Sequence, residues 1–85
     1  MKKIEYVIQT ATGMHARPAG MFVAAVNKYA SKVTVNCNGK EADGRKLFAL
    51  MKLGAKQNDT LEITVDGSDE DQACSALQEI LKTHF

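Results

Sequence analysis

One uninterrupted run near the start of the chain, Thr12-Gly13-Met14-His15-Ala16-Arg17-Pro18-Ala19, holds the residues best suited to chemistry. An imidazole and a guanidinium stand close together, with a glycine before them and a proline after. Alternating Ile4, Tyr6 and Ile8 lead in and a helical pattern follows, which puts His15 on a strand-to-helix corner eased by Gly13. With His15 as the helix cap, the amides of Ala16 and Arg17 are free donors at the positive end of the helix. Pro18 suits that first turn because it has no N–H to satisfy. Imidazole, guanidinium, free amides and a helix N-terminus together make an anion site with a nucleophile inside it.

The anion chemistry that fits is phosphoryl transfer, which is mostly positioning and electrostatics because the moving group carries its charge on three oxygens. The accepting ring nitrogen has to be uncharged, and a helix N-terminus beside Arg17 opposes extra positive charge there. Once phosphate arrives, Arg17 and the amides of Ala16 and Arg17 hold its oxygens. That hold must stay modest, since a carrier that binds its phosphate too well cannot pass it on.

The stretch Gly13-Met14-His15-Ala16-Arg17-Pro18-Ala19 closely resembles the active-site segment of HPr, the histidine phosphocarrier family of the bacterial sugar phosphotransferase system. Length and element order extend the resemblance to the whole chain without an insertion. The resemblance implies a stoichiometric carrier rather than an enzyme, with His15 phosphorylated at Nδ1. It implies enzyme I as donor, itself charged from phosphoenolpyruvate, and EIIA domains of sugar permeases as acceptors. It also implies a docking surface around His15 on which Gly20, Met21, Leu47, Phe48 and Met51 are exposed. Exposed methionines suit a surface that must fit unrelated partners.

The sharpest departure from the family is Lys46, which stands where many HPr proteins have the serine that a regulatory kinase phosphorylates. A lysine suits a helix start badly, losing a cap and opposing the dipole, so Asp43 or Gly44 is left to cap. The substitution implies a carrier exempt from serine phosphorylation, with Lys46 on the partner-binding surface. The alternative is an HPr-like regulatory partner outside sugar transport, against which the intact His15-Ala16-Arg17 argues.

Composition narrows the rest. Eighty-five residues, 45% of them hydrophobic, make one small folded domain over 1–85. Cys37 and Cys74 belong to no Cys-x-x-Cys motif, and with only His15 and His84 available no zinc spacing exists. Reduced, packed thiols, no apolar leader and no membrane-length stretch predict a soluble cytoplasmic protein; a monomer without metal or cofactor is expected. The net charge of +1 hides an asymmetry. Residues 1–56 carry ten basic side chains against three acids, and residues 57–85 one lysine against seven acids. The half containing His15 is the basic half, which suits phosphate or acidic partners.

The elements that must position His15 follow in chain order. Residues 2–8 alternate as a first strand, and Ala19, Phe22, Val23 and Val26 mark a helix from about Ala16 to Asn27 or Lys28. Val33, Val35 and Cys37 alternate as a second strand, and Asn38-Gly39 turns the chain into a short return strand, Lys40 to Asp43. Helical spacing resumes from Arg45 to Leu53 with Gly54 closing it, and Leu61, Ile63 and Val65 give a fourth strand. Ser68 and Asp71 form a candidate capping box for a last helix that carries Ala73, Leu77, Ile80, Leu81 and His84 on one side.

The order β-α-β-β-α-β-α, with alternating strands, predicts an α+β two-layer open-faced sandwich whose helices cover one face. The family resemblance implies an antiparallel sheet ordered 1-4-2-3. A single-stranded-RNA-binding module of similar content would need exposed strand aromatics or a Gly-x-x-Gly clamp. Tyr6 is the only aromatic in a predicted strand and no Gly-x-x-Gly occurs, so nucleic acid is set aside.

Overall fold

Alternation along each strand decides which side of the sheet is dry, and the computed structural model, which describes all residues 1–85, follows it closely. The elements are β1 (Lys2–Val7), α1 (Ala16–Val26), β2 (Lys32–Cys37), β3 (Lys40–Asp43), α2 (Leu47–Lys52), β4 (Thr60–Asp66) and α3 (Glu70–His84). The four strands form one antiparallel sheet ordered β1-β4-β2-β3. Ile4 lies opposite Ile63, and Val35 opposite Ile63 on its other side, so β4 is central and its apolar residues are sandwiched between neighbours. A slip of one residue would turn this whole set to water, which is why the register is well specified.

Ile4, Val33, Val35, Cys37, Leu61, Ile63 and Val65 are buried beneath the helices, while Lys3, Glu5, Val7, Glu62 and Asp66 point to the open side. Onto the dry face pack Ala19, Phe22 and Val26 of α1, Leu50 of α2, and Ala73, Leu77 and Leu81 of α3. The tip between β2 and β3 has positive φ at both Asn38 (55°) and Gly39 (79°), the mirror-image turn that matches the twist of a hairpin. Cys37 is buried and Cys74 half-buried, both as free thiols, and burial pushes the Cys37 thiol up from its ordinary value.

Several boundaries differ from the sequence pattern for identifiable reasons. The first strand ends at Val7, although Ile8 remains buried, because the Ile8 N–H donates to the Asp59 carbonyl in a loop contact. The first helix stops at Val26, and Asn27 caps it in helical conformation. The second helix begins at Leu47 rather than Arg45, because Asp43 holds the preceding turn: its carboxylate accepts the Arg45 N–H at 2.9 Å. The expected Ser68–Asp71 capping box is not formed. Asp69 is the cap residue of α3, but its carboxylate makes no capping bond and reaches instead to the connection between α1 and β2.

That carboxylate accepts the N–H of Ala30 at 2.8 Å, the N–H of Ser31 at 3.0 Å and the hydroxyl of buried Ser31. It clamps the α1–β2 connection to the start of α3. The Ser31 hydroxyl above all, and then the Ala30 amide, hold the Asp69 carboxyl below its usual range. Arg45 closes the same connection from the other side, donating to Asn27 Oδ1 at 3.0 Å and to the carbonyls of Tyr29 (2.7 Å) and Ser31 (3.1 Å). Phe85 completes the core: its ring packs edge-on against Phe22 with centroids 6.5 Å apart. Its carbonyl accepts the N–H groups of Gln9 and Thr10, so the end of α3 grips the loop that leads to His15.

Candidate functional site

The turn before α1 is set by backbone. Gly13 has φ +61°, and a Cβ at that position would lie 2.6 Å from the Ala55 carbonyl oxygen. Only glycine allows both the left-handed conformation and so close an approach of two backbones. The Gly13 N–H closes the turn on the Thr10 carbonyl at 3.2 Å, and the Met14 N–H donates to Ala55 at 3.0 Å. Met14 itself is buried, so the residue before His15 is an anchor.

His15 occupies the cap position of α1 in extended conformation, φ −120° and ψ −179°, and its side chain makes no capping hydrogen bond. Its carbonyl accepts the N–H of Ala19 at 3.0 Å, the first bond of the helix. The imidazole is thereby left uncommitted at the helix entrance, with His15, Ala16 and Arg17 all exposed. Pro18 is buried, so the first turn of α1 is anchored within the fold while His15 stays exposed. The Ala16 and Arg17 amides belong to the set of first-turn donors that an α-helix cannot satisfy internally.

Arg17 contrasts with Arg45. The Arg45 guanidinium is consumed by three protein oxygens, whereas Arg17 enters no ion pair and no side-chain hydrogen bond. An exposed guanidinium next to free helix amides and an uncommitted imidazole can receive an anion without first breaking a protein contact. None of the three surface depressions includes His15 or Arg17. A projecting corner of this kind engages a complementary macromolecular surface more readily than it encloses a small substrate. No group of three or more His, Cys, Asp or Glu side chains could hold a metal ion, and no helix is long and apolar enough to cross a membrane.

The residues expected around His15 divide. Met21 (41% exposed), Phe48 (76%) and Met51 (36%) are open to solvent on α1 and α2, which pack as neighbours. Leu47 is a correction: it is half-buried and packs against the core, because it lies one helical turn before fully buried Leu50. Gly20 is also half-buried, although the direction a Cβ would take from it is empty. Lys46 is exposed at the cap of α2 with no side-chain capping bond, and Asp43 serves the turn before it instead. The basic half is partly neutralised, since Lys2 pairs with Asp71 at 3.1 Å and Lys3 with Glu62 at 3.6 Å. Phe85 and Arg45 are the supporting residues that pattern reading missed. The spacing Leu77, Leu81, Phe85 was the available signal for the first; none existed for the second.

Comparison with known proteins agrees with the geometry. A family model described as the PTS HPr component phosphorylation site matches residues 2–83. The phosphocarrier protein HPr of Mycoplasma pneumoniae is 39% identical over 85 residues, covering 99% of this chain and 97% of its own. That of Borreliella burgdorferi is 36% identical over 83 residues, covering 98% and 96%. The crystal structure of HPr-C-His from Thermoanaerobacter tengcongensis superposes with a TM-score of 0.91 at 31% identity, covering 98% of this chain and 93% of that one. Fold, strand order and sequence agree over nearly the whole length, and the chain belongs to the HPr family of phosphocarrier proteins of the phosphotransferase system.

Proposed function

We propose that His15 takes a phosphoryl group from phospho-enzyme I, itself charged from phosphoenolpyruvate, and passes it to EIIA domains of sugar permeases. The observation that carries this reading is the exposed, uncommitted imidazole at the entrance of α1 beside an unpaired Arg17. The lone pair of an imidazole nitrogen, Nδ1 by family resemblance, attacks phosphorus while the bond to the donor's nitrogen breaks and its electron pair returns to the donor. Arg17 and the amides of Ala16 and Arg17 take the charge on the equatorial oxygens. The reverse displacement hands the group to the acceptor, so the protein is a stoichiometric carrier that returns to its starting state. It works in the cytoplasm as a monomer and needs no cofactor.

Met21, Phe48 and Met51 supply the apolar part of the docking surface, and Lys46 adds positive charge at its edge. A lysine cannot accept phosphate from a serine kinase, so this carrier escapes the inhibition that phosphoserine would impose at the start of α2. The test is transfer from enzyme I and phosphoenolpyruvate to the protein, and onward to EIIA domains. Arg17→Ala should lower transfer by roughly 10- to 1,000-fold with little change in melting temperature. If Arg17→Ala unfolds the protein, Arg17 is structural and the site assignment is wrong.

A further inference from the structure

An exposed side chain can be aimed only by its backbone, and the backbone of His15 is held by the residue before it. Met14 is buried in the core cluster, whereas His15, Ala16 and Arg17 are exposed. Its N–H donates to the carbonyl of Ala55 at 3.0 Å, and Ala55 is buried as well. Gly13 lies against the same carbonyl, with room for nothing larger: a Cβ would also come within 3.0 Å of Lys56 Cα. Residues 13–14 therefore rest directly on the backbone of residues 55–56.

The strand of chain that supplies Ala55 leaves α2 through buried Leu53 and then Gly54, at φ +65°. The Gly54 N–H returns to the Met51 carbonyl at 3.3 Å, which fixes the exit from the helix. The other side of the corner is pinned by the Ala19 N–H on the His15 carbonyl at 3.0 Å. His15 thus sits between two backbone fixings, one of them made to the segment that continues the docking helix.

We propose that Met14 and Ala55 form a positioning latch for phosphoryl transfer, fixing the backbone from which His15 presents its ring while touching neither phosphate nor partner. The inference rests on the phosphocarrier reading and deepens it. In-line displacement between two proteins needs the attacking nitrogen held to a fraction of an ångström, and a misplacement of about 1 Å can cost on the order of a hundredfold in rate. The latch supplies that precision for a side chain that makes no hydrogen bond of its own.

The experiment measures initial rates of phosphorylation by enzyme I and phosphoenolpyruvate for the wild type, Met14→Ala and Met14→Leu over a range of carrier concentration. Met14→Ala should lower kcat by roughly 10- to 100-fold. Its KM should stay within about twofold, because Met21, Phe48 and Met51 are untouched. Met14→Leu, nearly equal in volume, should restore most of kcat. Hydrogen exchange of the Met14 amide should be slow in the wild type and faster in Met14→Ala. A folded Met14→Ala with wild-type kcat overturns the latch, as does a loss confined to KM or a Met14 amide that exchanges freely in the wild type. Should Met14→Ala fail to fold, Gly54→Ala strains the loop carrying Ala55 without adding a clash, and an unchanged kcat there overturns the latch equally. An inactive wild type overturns the carrier reading and the latch with it; an active wild type with indifferent variants overturns the latch alone.

Discussion

Two glycines on either side of His15 should respond to the same methyl group in opposite ways. At Gly13 the backbone has φ +61°, and an added Cβ meets two backbone atoms, the Ala55 oxygen at 2.6 Å and Lys56 Cα at 3.0 Å. An L-residue in the left-handed region costs about 1–2 kcal/mol. Relieving the overlap costs about 1–3 kcal/mol more, because the Ala55 carbonyl is tethered by the Met14 N–H and cannot simply withdraw. The sum is about 2–5 kcal/mol, which at about 4–8 °C per kcal/mol lowers Tm by roughly 8–40 °C for a domain of this size. Gly20 lies inside α1 with nothing within 4 Å of the Cβ direction. Alanine there should stabilise the helix by about 0.5–1 kcal/mol, and raise Tm by roughly 2–8 °C. Thermal and urea unfolding of Gly13→Ala, Gly20→Ala and the wild type under one set of conditions gives the comparison. Equal melting of Gly13→Ala and the wild type would refute the close backbone contact that sets the His15 corner, and a destabilised Gly20→Ala would refute the open helix face.

Three further expectations test other parts of the structure. Asp69, held below its usual range by Ser31 and Ala30, contributes stability that is present above the unfolded value of about 3.9 and is lost as pH falls through the lower folded value. Asp69→Asn should therefore be less stable at neutral pH and lose less on acidification, and Tm-against-pH curves that run parallel would contradict this. Phe85→Ala should cost about 3–5 kcal/mol by emptying the space beside Phe22, visible as a Tm drop well beyond that of exposed-site variants; an unchanged Tm would mean the Phe22–Phe85 contact carries no stability. At the docking rim, Phe48→Ala should leave Tm unchanged and raise KM for enzyme I, and Lys46→Glu should slow phosphorylation at low salt with a penalty that fades as salt rises. Salt curves for Lys46→Glu and the wild type that run parallel would place Lys46 away from the partner.

What the sequence discloses depends on how local the physics is. The strands were legible because burial on one face imposes a period of two, and Asn38-Gly39 because both residues tolerate positive φ. The His15 corner was legible for the same reason: glycine, cap position and proline act within one turn. Long-range polar ties left no such trace. Arg45 stands in a basic stretch and resembles any solvated cation, yet it binds the exit from α1. Asp69 stands in an acidic run that suits a helix start, yet its oxygens serve residues thirty-eight and thirty-nine positions earlier. Ser68 does not cap α3 because Asp69 holds the cap position, and the Asp69 carboxylate is spent on Ala30 and Ser31. Family likeness points Leu47 outward, whereas its place one turn before buried Leu50 packs it partly against the core.

The most direct test of the carrier mechanism is to incubate the isotope-labelled protein with enzyme I and phosphoenolpyruvate and locate the phosphate by phosphorus and nitrogen NMR. The expected product carries one acid-labile, base-stable phosphoryl group on a ring nitrogen of His15, with amide shifts concentrated at Ala16 and Arg17, and His15→Ala keeps its fold but takes up none. Phosphate on His84 or on a hydroxyl side chain, or uptake that survives His15→Ala, would contradict the assignment of His15.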